Sequence, residues 1–251
     1  MQMLVGKRSR GTMRLRSTDL RRLWIFVALL GLSPAVSHAM YLDRSIVEFL
    51  PGESPRQDVR VINDTDEQLY VQVDVLDVKN PGTDAESRDR VTDPDSIRLL
   101  VTPTKLIVPP KSSKIVRMVN LDEQLNAEKV YRVNFTPILP PLQEDAGSKV
   151  RLVVAYQVLV LAAPKNPRHN LVAQRQGKTL TLTNTGNSYV MVTEGKQCAA
   201  SPTGGEQNDA CHNLNARRLY PGNTYQAELP YDSPLELSLQ SVAGNEKQVV
   251  P

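Results

Sequence analysis

Few side chains in this 251-residue chain are of the kind that carry chemistry. There are three histidines (His38, His169 and His212) and two cysteines (Cys198 and Cys211). A zinc-type centre needs three or four Cys, His or carboxylate ligands at short spacings. His169 and His212 lie far apart, and although His212 follows Cys211, a disulfide would take that sulfur out of play. No G-x-S-x-G elbow, phosphate-binding glycine loop or dinucleotide fingerprint occurs. Acidic residues are numerous, and a pair of them could serve as general acid and base. They are scattered through polar stretches, however, which is the pattern of a solvated surface. The expectation is therefore a protein with no catalytic residues, no metal and no cofactor.

The cysteines depend on the compartment. Lys7, Arg8, Arg10, Arg14, Arg16, Arg21 and Arg22 precede the apolar run 23–32, and Ser37-His38-Ala39 follows with small residues three and one before a cut after Ala39. This is the layout of a cleaved secretory signal. The run is about half the roughly 20 residues that a bilayer span needs, and no later stretch is long and apolar enough, so the chain is not expected to be membrane-embedded. Export to an oxidising compartment favours a Cys198–Cys211 disulfide, with a free thiol or metal ligand as the alternative.

Removing residues 1–39 reverses the charge. The whole chain has 30 Lys+Arg against 27 Asp+Glu; the segment carries seven basic residues and one acidic residue, leaving 23 against 26. The basic character belongs to the export signal and gives no reason to expect a nucleic-acid partner.

The remaining elements are all of one kind. Short runs rich in Val, Ile, Tyr and Thr, ended by Gly, Pro, Asn and Asp, read as strands: 58–62, 69–75, 99–101, 105–108, 115–119, 130–136 and 150–161. The polar stretch 79–95 reads as an exposed loop, and 122–127 as a single helical turn. Ala163-Pro164-Lys165-Asn166-Pro167 is the natural boundary, because two prolines hold the chain extended and remove backbone donors. A second set of strands follows at 171–175, 179–183, 189–193, 224–229 and 235–242. The fold class is all-β, two β-sandwich domains at 40–163 and 164–251.

The ordered motifs resemble the periplasmic pilus (fimbrial) assembly chaperones of the chaperone-usher pathway, in their alternate-class branch. Tyr41-Leu42-Asp43-Arg44-Ser45 resembles the first strand. Val101-Thr102-Pro103, Leu106-Ile107-Val108-Pro109-Pro110 and Lys114-Ile115-Val116-Arg117-Met118 resemble the proline-then-Val-Arg pattern. Residues 128–135 with Pro140-Pro141, and Asn184-Thr185-Gly186-Asn187 with the two cysteines, continue the series. The resemblance implies two immunoglobulin-like domains in a boomerang arrangement. It also implies pilus subunits as clients, delivery to an outer-membrane usher, and periplasmic location. The chaperone would lend a strand to a client sandwich that lacks one.

For the lent strand the residues speak in part for themselves. Even positions from Val150 to Val160 are all apolar, so one face of the strand is continuous. That face lines either the protein's own core or a client's groove; the resemblance selects Val150, Leu152 and Val154 as donors. The family also implies a basic anchor for the client's C-terminal carboxylate, a task that suits arginine. The aligned first-strand position holds Ile46, however, and the expected lysine position lies near Leu159. The candidates are then Arg132, whose neighbours Tyr131, Val133 and Phe135 make the apolar face opposite it, followed by Arg44 and Arg151. Arg117 is expected in a structural ion pair. A competing reading is a structural pilus subunit or adhesin of two sandwiches, which would carry a free alternating extension at its N-terminus.

Overall fold

A computed structural model describes residues 40–122, 124–139, 153–199 and 211–251. Residues 1–39, read above as an export signal, and the expected cut after Ala39 lie outside these residues. The first ten strands, in chain order, are β1 (Met40–Leu42), β2 (Ile46–Phe49), β3 (Arg56–Asn63), β4 (Leu69–Lys79), β5 (Ser87–Arg90), β6 (Leu99–Thr102), β7 (Lys105–Val108), β8 (Ser112–Asn120), β9 (Lys129–Ile138) and β10 (Tyr156–Ala162). They form two sheets, one ordered β1-β3-β8-β6 and the other β2-β10-β9-β4-β5, with β7 also paired to β4. Alternation along the strands explains the layering. In β9, Tyr131, Val133 and Phe135 are buried, while Arg132 and Asn134 take the other face. The inward residues of both sheets make one core that includes Val59, Val61, Val116, Met118, Val133 and Phe135.

The second sandwich holds β11 (Leu171–Gln176), β12 (Thr179–Asn184), β13 (Val190–Cys198), β14 (Cys211–Leu214), β15 (Arg217–Leu219), β16 (Thr224–Glu228), β17 (Leu235–Ser241) and β18 (Gly244–Val250). Its sheets are β11-β12-β16 and β14-β13-β17-β18, with β15 paired to β13. Its own core is built on Leu180, Leu182, Val190, Leu235, Leu237 and Leu239. Cys198 and Cys211 face each other directly across β13 and β14 and are joined as a disulfide.

The structure departs from the sequence reading in three places. The stretch 79–95 is not all loop, because β5 pairs with the end of β4, Leu76↔Arg90 to Lys79↔Ser87, and a 3-10 turn follows at Pro94–Ser96. β5 has no buried side chain and therefore no apolar signature. The described part of 122–127 contains no helix. β14, β15 and β18 are strands that carry mostly polar residues, and pairing to a neighbour rather than propensity defines them.

Both sandwiches use the same corner. Asn63, fully buried at the end of β3, donates through Nδ2 to the carbonyls of Glu67 (2.8 Å) and Val108 (3.0 Å), and its Oδ1 accepts from the Thr65 N–H. Asn184, fully buried at the end of β12, donates to the carbonyls of Ser188 and Leu219 (both 2.9 Å) and accepts from the Gly186 N–H. In each case the amide closes a turn on the carbonyl four residues ahead and ties it to a distant strand end.

Candidate functional site

β10 lies inside its sheet, antiparallel to β9 (Tyr156↔Phe135 to Ala162↔Lys129) and parallel to β2 (Leu159↔Ile46 to Ala162↔Phe49). Val158, Val160 and Ala162 are buried in the first core, with Tyr156 packed against it. For this half of the strand, then, the apolar face lines the protein's own interior. Two residues before Tyr156, Val154 continues the same alternation but is 48% exposed. The buried apolar positions of β10 thus give way to an exposed valine just ahead of the strand. Val150 and Leu152 lie outside the described residues, as does Arg151.

The opposite face of the same sheet holds the basic candidates. Ile46, Leu159, Arg132, Leu76 and Arg90 form a single row across β2, β10, β9, β4 and β5. Arg88 pairs with Glu86 (2.8 Å) and Arg90 with Asp74 (3.1 Å). The Arg132 Nε is buried without a hydrogen-bond partner among the described residues. An unpaired guanidinium nitrogen out of solvent is costly. The Gly82 N–H, the Arg88 guanidinium and the field of Arg132 hold the Glu86 carboxyl below the usual range. Gln157 Nε2 donates to Asn134 Oδ1 (2.7 Å) beside the row.

Arg44 is placed elsewhere. It precedes β2 rather than lying on it, and its Nε is 3.7 Å from Asp43 Oδ2. Its field reaches Asp58 in the other sheet, where the Arg117 guanidinium, bonded through Nε (2.9 Å) and Nη2 (3.0 Å), holds the carboxyl below its ordinary value. Arg117 is thus engaged in an ion pair, and Arg44 is not on the Arg132 face.

Further along that face is a feature that strand-by-strand reading missed. Ile107, Tyr70 and Ile138 are direct neighbours across β7, β4 and β9, and are 50, 44 and 46% exposed. Val153, ahead of β10, is also exposed. Contiguous exposed apolar side chains mark interaction surfaces more than single ones do. The other end of the face is closed: Val78, Val130, Leu159 and Leu161 pack against Tyr189 and Tyr220 of the second sandwich. The Glu128 N–H donates to the Asn187 carbonyl (2.8 Å) and Asn223 Nδ2 to the Pro81 carbonyl (3.0 Å), so the two sandwiches meet through both apolar and polar contacts.

The described residues contain no group of three or more His, Cys, Asp or Glu placed to hold a metal ion, and no helix long and apolar enough to cross a membrane.

Residues 39–168 match the family described as pili and flagellar-assembly chaperone, PapD N-terminal domain. The chain belongs to this family. Its two-sandwich fold agrees with a solved structure, the class 5 fimbriae chaperone CfaA, at a TM-score of 0.64 and 21% identity, covering 84% of this chain and 99% of that one. A chain from a chaperone–tip adhesin complex of CFA/I fimbriae matches with a TM-score of 0.61 at 22% identity, over 84% of this chain and 97% of that one. Among curated proteins, a CS1 fimbrial subunit of Escherichia coli is 26% identical, covering 88% of this chain and 93% of its own length. A CFA/I fimbrial subunit of the same species is 25% identical, over 82% and 87%.

Proposed function

We propose that this chaperone, exported to the periplasm and cut after Ala39, binds pilus subunits by lending them the segment that leads into β10. Its two domains span 40–163 and 164–251. Val150, Leu152 and Val154 enter the client's groove, while backbone groups of the same segment complete the client's sheet. Arg132 grips the client's C-terminal carboxylate, with Arg151 as a further candidate. The Ile107–Tyr70–Ile138 row covers apolar client surface beside it. Delivery to an outer-membrane usher follows, and release comes when another pilin's extension replaces the lent segment, so no cofactor is needed.

The observation that carries this reading is the single alternation that joins buried Val158 and Val160 to exposed Val154. The chaperone–tip adhesin complex among its structural relatives supports pilins as clients. In a structural pilus component the alternating strand would be a free N-terminal extension, whereas β10 is held between β9 and β2 of its own sheet. Co-expression with a cognate pilin tests the proposal: the pilin should accumulate as a soluble complex with the wild-type chain. Equal soluble pilin without the chain, or with Leu152→Asp, would reject it.

A further inference from the structure

The junction between the sandwiches carries titratable groups that client binding does not use. Glu128, just before β9, accepts the Tyr189 backbone N–H at Oε2 (3.2 Å); its Oε1 is shut off from solvent with no partner among the described residues. Glu48 in β2 accepts the Tyr189 hydroxyl (2.9 Å). Arg218 in β15 lays its guanidinium over the Tyr189 ring, 4.6 Å from the centroid, and its Nε is likewise buried and unpaired. Ser188 Oγ, buried next to Tyr189, is a third polar atom without a partner among the described residues. The first sandwich thus supplies two carboxylates, and the second a tyrosine, a serine and one arginine.

With both carboxylates ionised this site holds one negative charge too many. Arg218 has no hydrogen bond to either acid, and Lys129, beside Glu128, is committed to Asp77 (2.9 Å). With Glu128 protonated, Glu48 and Arg218 balance, and Glu128 gains an O–H donor. We propose that Glu128, Glu48, Tyr189 and Arg218 form a proton-operated latch between the two sandwiches, closed when Glu128 is protonated and loosened when it ionises. Burial first, and then the Glu48 charge, outweigh the Tyr189 N–H and Arg218, so the Glu128 carboxyl is pushed up to about 7. In the same cluster burial and the bond to Glu48 push the Tyr189 phenol up to about 12, so it stays a donor throughout.

The sign follows from linkage. An acid whose value is raised in the closed state binds its proton more tightly there than when solvated. The closed state is therefore favoured most below the ordinary carboxylate range, loses ground as pH rises from about 4.5 to about 7, and then levels off. Between those limits the closed-to-open ratio falls by up to about tenfold per pH unit.

The test is the distance between spin labels on the full chain, one replacing exposed Lys114 and one replacing exposed Lys247, with the native disulfide intact, from pH 5 to 8.5. The distribution should broaden between pH 5 and about 7 in the parent chain and change little above that, with the midpoint of the change inside this window. Glu128→Gln should stay narrow throughout, and Glu48→Gln should move the midpoint to lower pH by removing the like charge. A pH-independent distribution in the parent, or an unchanged midpoint in Glu128→Gln, would overturn the latch. Carbon-13 titration of glutamate carboxyls in the unmutated chain gives a second readout: one glutamate titrating near 7 supports it, and all titrating between 4 and 5 refutes it. Neither result bears on whether pilins bind, so the latch and the client reading stand or fall separately.

Discussion

Arg132 and Leu159 face each other directly across β9 and β10, and Ile46 faces Leu159 on the other side. The positions where the family resemblance implies basic residues, at Ile46 and near Leu159, therefore share one cross-sheet row with the arginine that this chain does carry. The charge stands one strand over, on the same face. Arg132→Ala should weaken client binding by at least about 30-fold, the size expected when one partner of a desolvated charged pair is lost, with an unchanged melting temperature. Because the row is shared, adding Leu159→Lys to Arg132→Ala should recover part of the affinity. Isothermal titration with a purified client checks both, and wild-type affinity in Arg132→Ala would remove it from the site.

Val154, ahead of β10, and Val158 within it should respond oppositely to a charge. Val154→Asp, at an exposed position, should leave circular dichroism and melting unchanged while lowering client affinity at least about tenfold. Each such side chain is worth roughly 1.5–3 kcal/mol when buried in a groove. Val158→Asp places a carboxylate in the first core and should abolish folding of that sandwich. If Val154→Asp binds normally, the lent segment lies elsewhere.

The disulfide closes a 13-residue separation between β13 and β14. Replacing Cys198 and Cys211 by serine should lower stability of the second sandwich by about 2–4 kcal/mol. Denaturant unfolding followed by probes in each sandwich should show the first sandwich unaffected.

The paired corner amides should matter alike. Asn63→Ala or Asn184→Ala leaves a turn carbonyl and a strand-end carbonyl without their donor and should cost about 2–4 kcal/mol, since each buried group left unsatisfied costs roughly 1–3 kcal/mol. Chemical denaturation of the two variants checks this. A much smaller loss in one would mean that water or a rearranged turn replaces its amide.

How much was legible in the sequence depends on where the information lies. Strands such as β4 and β9 announce themselves, because alternation and β-branched residues are local properties. Strands β5, β14 and β18 hardly do, because their pairing is decided by a neighbouring strand and not by their own residues. The Arg132 face was readable from Tyr131, Val133 and Phe135 on either side. That Arg44 leaves this face was not, because the chain turns between Leu42 and Ile46 and sends it toward Asp43 and Asp58. The Ile107–Tyr70–Ile138 row required register, and the junction of Glu48, Glu128, Tyr189 and Arg218 required the contact between sandwiches; neither leaves a mark within a short window of sequence.

With Val158 and Val160 clamped in the first core, the phase of the residues ahead of them is set before any client arrives. On the proposed reading, β10 works as a ruler whose zero mark is fixed inside the protein. One residue inserted between Ala155 and Tyr156 would leave the core untouched and turn the opposite set of side chains toward the client, whereas two inserted residues would restore the phase and only lengthen the reach.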